Sequence, residues 1–278
     1  MPVTASYAER LALVEQSPAA VAAHDKAAWL GLFARYSLVE DPVGSRPCVS
    51  RPGDSVDSGP LSRFYDTFIA ANEIRFVVER DMVGGDAVVR DLSLEITMAG
   101  GARVVTPMHL VYELVEEEGA LRVFRLAAHW ELRAALKQRS GGMDAFWRML
   151  RYLGVGGVLG FMRALSSVGD AGKAVVADFQ RAFNSRQPVV ISQLFAAQDL
   201  EVRLLTAGEV LPVSDLLQLG DSITLGKTLA AGEVVSSSFE LLRAGTTHCG
   251  VAFFYFDRRS LKITGLDIYW CETGLSGT

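Results

Sequence analysis

One acid in this 278-residue chain sits where it could move a proton. Asp41 lies in VEDPVGSRP, residues 39–47, where a half-buried strand, Ser37-Leu38-Val39, runs into a Pro-Gly turn. Asp is favoured at the start of turns, which is one reading of it. The other is a proton acceptor. Pro42 and Gly44 make a rigid corner, and a carboxylate held at an apolar wall is shielded from competing water, as proton abstraction from carbon requires. Other reactive groups offer less. Gly154, Gly156, Gly157 and Gly160 invite comparison with a dinucleotide fingerprint, but the third glycine is one place off and no strand precedes it. Cys48, Cys249 and Cys271 are odd in number and lack metal-ligand spacing, so they read as thiols of a reducing cytoplasm. No cofactor and no metal are expected.

The rest of the chain must position that acid. Half of the residues are apolar, enough for a sizeable core, and the formal net charge is −5. Acidic runs such as Glu116-Glu117-Glu118 fall in turns and no basic stripe is visible, which argues against a nucleic-acid partner. The opening stretch MPVTASYAERLALVEQ mixes Glu and Arg into its first turns, so no signal peptide is expected there. YLGVGGVLGFM, residues 152–162, is about half the length a bilayer-crossing helix needs. The expectation is a cytoplasmic protein with no transmembrane segment.

Residues 6–34 carry helical periodicity with a break near His24-Asp25, and PLSRFYDTFIAAN at 60–72 looks like a further amphipathic helix. Four strand-like runs follow, IRFVVERDMV, AVVRDLSLEITM, ARVVTPMHLVYELV and LRVFRLAAHWEL, parted by turn signals at Gly84-Gly85, Gly100-Gly101 and Glu118-Gly119. The second half repeats this order. Helices span 172–196, Asp199 to Leu205 is a strand and Val213 to Leu219 a short helix, and four strands end the copy. The two meanders close alike, AAHW at 127–130 and DIYW at 267–270. A tandem duplication follows, of fold class α+β: residues 1–136, a helical linker over 137–170, and 171–278.

The first copy resembles ketosteroid isomerase, within the wider nuclear-transport-factor-two-like and polyketide-cyclase-like superfamily. The likeness runs over roughly residues 10–133 and is carried by LFARYSLVEDPVGSRP at 32–47, GPLSRFY at 59–65, VVTPMHLVY at 104–112 and AAHWE at 127–131. It implies a strongly curved antiparallel-rich sheet wrapped against helices around an apolar pocket. It also implies that Asp41 is the base moving a proton between carbons of an enolisable ketone. That family polarises the carbonyl with a tyrosine and a protonated aspartic acid. The chain departs from the pattern at both places, with Ser17 where the tyrosine falls and His109 where the aspartic acid falls. By the same resemblance His109, Tyr65 or Ser17 would serve the oxygen, and Phe64 and Trp130 would line the pocket. An indole at 130 would desolvate the carboxylate and raise its pKa. His129, the next residue along the strand, should face the other way.

The second copy resembles the superfamily in pattern alone. Arg203 takes the place of Asp41 and the match to His109 lands near Ala252, so no acid is aimed into it. Its expected part is a non-catalytic partner within the chain, with a homodimer as a further possibility. The resemblance implies a cofactor-free isomerase acting on a hydrophobic, polycyclic or steroid-like carbonyl compound. The alternatives are a dehydratase or cyclase using Asp41 and His109, and a non-catalytic binder of apolar ligands.

Overall fold

A computed structural model describes residues 3–98, 101, 103–136 and 167–271. The chain divides into two compact units, Met1–Leu165 and Ser166–Thr278. The helical linker expected over 137–170, with its glycine cluster, falls almost wholly outside the described residues. Among the described residues no helix is long and apolar enough to cross a membrane.

In the first unit, helix α1 (Tyr7–Ala22) starts at a capping box. Ser6 Oγ accepts from the Glu9 N–H, and the Glu9 carboxylate accepts from the Ser6 N–H in return. Helix α2 (Lys26–Gly31) is capped by Asp25, which accepts from the Ala28 N–H. Strand β1 (Phe33–Glu40) starts earlier than the sequence pattern suggests, and β2 (Cys48–Ser50) follows the DPVG turn. The helix expected over 60–72 splits in two. Helix α3 (Pro60–Phe64) gives way to a π-helical turn at Tyr65–Ile69, a feature frequent at functional sites. Four long strands complete the unit, β3 (Asn72–Gly84), β4 (Ala87–Met98), β5 (Arg103–Glu117) and β6 (Ala120–His129), with a short helix α4 (Leu132–Leu136) after them.

The strand order is β2-β1-β6-β5-β4-β3, with only β1 and β6 parallel. The register Val88↔Tyr112, Arg90↔Leu110 and Leu92↔Met108 sets these side chains on one face, because successive residues of a strand alternate. That inner face packs with Leu13, Val14 and Val21 of α1 and with Trp29 and Tyr65 into one core. Opposite it, Asp91↔His109↔His129 run across three strands on the outer face.

The second unit repeats the plan. Helices α5 (Gly169–Asn184) and α6 (Pro188–Leu194) lead to β7 (Glu201–Leu204), β8 (Glu209–Pro212) and a 3₁₀ turn at Val213–Gln218. Strands β9 (Ser222–Ala231), β10 (Val234–Arg243), β11 (Thr246–Phe256) and β12 (Ile263–Cys271) then form the sheet β8-β7-β12-β11-β10-β9. Again one pair, β7 with β12, is parallel. The α+β architecture read from the sequence is what the structure shows. Strands β2 and β8 and the short helix α4 are elements that the sequence pattern missed.

Candidate active site

Asp41 follows directly on β1. The register Val39↔Leu126 and Glu40↔Ala127 carries it to the inner face beside Ala128. Its turn is tied back to the sheet, with the Val43 N–H donating to the Ala128 carbonyl at 2.9 Å and the Ser45 N–H to the Pro42 carbonyl at 3.0 Å. Gly44 takes φ +89°, open to glycine at no cost, and the Asp41–Pro42 peptide bond is cis. These bonds hold the half-buried carboxylate where the Trp130 indole N–H donates to its Oδ1 at 2.6 Å. Burial pushes the Asp41 carboxyl up to about 6, and the Trp130 hydrogen bond pulls it the other way. The indole thus also acts on this acid as a donor to its charged form, a part beyond the desolvation expected of it.

His109 does not join this group. It is fully buried, with its Nε2 3.4 Å from Asp91 Oδ1, on the face turned away from Asp41. Met108, Leu110, Tyr112 and Leu114 are the residues of β5 that join the inner core. The oxyanion role expected of His109 thus conflicts with the pleat. His129 sits beside it on the same outer face, as expected, and is held neutral. Burial first, then the nearby His109 and Arg125, push its pKa down to about 3.

Ser17, expected to take the place of a tyrosine, is buried on α1. The phenol that comes close to it belongs to Tyr112, on the sheet. Burial raises the Tyr112 pKa, while Ser17 and then Arg90 pull it down. Yet the contact lacks full hydrogen-bond geometry, and Tyr112 Oη is left without a partner. Tyr65 is 2% exposed and its ring lies 5.6 Å from Trp29. Its hydroxyl also has no partner, and burial, with Asp25 and Asp66, raises its pKa. Phe64 is partly buried, stacked on Trp29 at 6.0 Å and 4.9 Å from Phe68.

Four buried polar atoms therefore lack a hydrogen-bond partner among the described residues: Ser37 Oγ, Tyr65 Oη, Arg90 Nη1 and Tyr112 Oη. All belong to the first unit. Buried polar groups are satisfied in the great majority of cases, so these four atoms stand out. Sequence reasoning missed Tyr112 and Arg90. Their signal was a tyrosine and an arginine at inward positions of strands mostly apolar on that face.

In the second unit, Leu204 pairs with Ile268, the counterpart of Ala128 when DIYW is laid on AAHW. Leu204, not Arg203, therefore stands where Asp41 stands in the first unit. Arg203 points outward and clasps Asp267 through Nε at 2.6 Å and through Nη2.

No protein-family model matches the sequence, and no curated protein matches it. Solved structures do. A Δ5-3-ketosteroid isomerase from Mycobacterium sp. is 26% identical, over 45% of this chain and 95% of that one, with a TM-score of 0.37. The chain is similar to ketosteroid isomerase-like structures. A Mycobacterium tuberculosis protein in complex with estradiol-17β-hemisuccinate is 24% identical over 45% of this chain and 95% of its own, at 0.39. An LEH-like epoxide hydrolase from M. tuberculosis is 17% identical over 52% and 92%, at 0.35. Each likeness spans about half of this chain.

Proposed function

We propose that the first unit moves a proton between carbons of a hydrophobic, polycyclic or steroid-like carbonyl compound, with Asp41 as general base and no cofactor. The observation that carries this reading is the Asp41 carboxylate itself. It faces inward, is held by Trp130 at 2.6 Å, and has a pKa raised to about 6. A base is most effective when its pKa lies near the working pH, because it is then both ionised and basic enough to take the proton. The Trp130 bond occupies Oδ1, and Oδ2 is the atom left for carbon. Negative charge developing on the ligand oxygen needs a donor, and the Tyr65 hydroxyl is buried with its proton uncommitted. The ligand class rests on the likeness of the DPVG and AAHWE stretches to the isomerase pattern. With His109 on the far face, a dehydratase or cyclase step through an Asp41–His109 pair loses its support. No reaction is assigned to the second unit.

The test is direct. The full chain is incubated with a β,γ-unsaturated ketosteroid while the absorbance of the conjugated enone is followed. Turnover that disappears in Asp41→Asn supports the proposal. Turnover indifferent to that substitution, or none in the wild type, overturns it.

A further inference from the structure

The inner face carries a second polar feature in line with Asp41. Following the register across the sheet, Asp41 stands beside Ala128, Ala128 pairs with Leu110, Leu110 with Arg90, and Arg90 with Asp81. One transverse row thus starts at the base and ends at an ion pair three strands away, about 14 Å measured along the sheet at the usual strand spacing. Arg90 is 4% exposed. Its Nε donates to Asp81 Oδ1 at 2.7 Å and its Nη2 to Oδ2 at 2.9 Å. That fork uses two of the guanidinium nitrogens and leaves Nη1 buried with no acceptor. Tyr112, one row along on the neighbouring strand, feels the Arg90 charge and likewise holds an unmatched hydroxyl. Two donors out of water and without acceptors are costly to keep unless a ligand supplies what they lack. The Arg90–Asp81 pair is neutral in sum. A ligand carboxylate would meet Asp81 as well as Arg90, so the acceptor that fits is an uncharged oxygen.

We propose that Arg90 and Tyr112 form an oxygen-receiving subsite. It selects elongated apolar molecules with a carbonyl or hydroxyl oxygen at the end remote from the carbon that Asp41 meets. The proposal rests on the assigned function for which end of the ligand lies at Asp41, but its test needs no turnover.

Binding of 5α-androstan-17-one and of the parent hydrocarbon 5α-androstane to the full chain is measured by tryptophan fluorescence. The hydrocarbon is the more apolar probe, so burial alone would favour it. The subsite instead has the ketone binding about tenfold tighter or more, the range of a hydrogen bond to a charged donor. Replacing both members of the ion pair, Arg90→Met with Asp81→Leu, avoids stranding a buried charge and spares the fold. In that variant, shown folded by circular dichroism, the preference should vanish while hydrocarbon binding stays within about twofold. Tyr112→Phe should lose part of the preference. Equal binding of the two probes by the wild type, no binding of either, or a preference that survives the double replacement each overturns the subsite. Asp41→Asn should keep the preference. Loss of the Asp41 reading and loss of the subsite are therefore seen separately.

Discussion

Leu204 occupies in the second unit the position that Asp41 occupies in the first, and the two interiors differ in their polar groups. Leu204 belongs to a core that also holds a cluster of aromatic rings. Phe179 lies 5.3 Å from Phe254 and 6.5 Å from Phe195, both edge-on, and 6.0 Å from Phe183. The buried Ser237 shares a 2.7 Å hydrogen bond with Thr228. The interior of the first unit holds a desolvated acid, two phenols and a guanidinium nitrogen with no internal acceptor. One topology has thus been completed from within in one unit and left chemically incomplete in the other. Incomplete hydrogen bonding costs stability, and proteins keep such costs where function needs them.

Substitutions can break or sharpen this contrast. The largest effect is expected for Asp41→Asn, which should lower isomerase turnover by about 10²- to 10⁴-fold, the usual worth of a positioned base. Next comes the packed unit. Phe179→Ala should cost about 3–5 kcal/mol in denaturant unfolding, as large-to-small changes in a filled core do.

The third effect concerns pH. Asp41 must be ionised to act, so turnover should rise with pH through about 6. Trp130→Phe removes the bond that favours the charged form, so the midpoint of the pH–rate profile should move upward. The same shift has a stability consequence of opposite sign. The folded-state pKa of about 6 lies above the ordinary 3.8, so this carboxyl weakens the fold increasingly as pH rises from 3.8 to 6, and fully above that. Asp41→Asn should accordingly raise the melting temperature at pH 7 and leave it unchanged near pH 3.

The smallest effects separate the units by sign. Ser237→Ala removes a satisfied hydroxyl and should cost about 1 kcal/mol. Tyr65→Phe removes an unsatisfied one, and should be neutral or stabilising by up to about 1 kcal/mol while slowing turnover. Denaturant titration of both variants checks the pair.

Much of this was legible beforehand. The repeated order of helices and strands, the DPVG corner and the AAHW–DIYW correspondence all lie in local pattern and turn chemistry. Two residues went astray for one shared reason. Met108 to Tyr112 are buried on both faces, so apolar alternation could not tell which face His109 takes. Likewise, placing Arg203 opposite Asp41 was off by a single residue. In a strand, one step of register moves a side chain to the other side of the sheet. Only the pairing with β6 and β12 settles the matter, and that pairing is a long-range fact.

Strand β1 has a consequence for how the protein is made. It pairs side by side with β6, and the Trp130 hydrogen bond to Asp41 joins residues 89 apart in sequence. Contacts that distant in sequence close late, after the intervening hairpins have been made. During synthesis, residue 41 leaves the ribosome as an ordinary hydrated aspartate of unremarkable acidity. It meets its Trp130 partner only when the last strand of its unit docks alongside, so a nascent chain stopped short of that strand would hold every residue of the acid's turn without the bond that ties the carboxylate down.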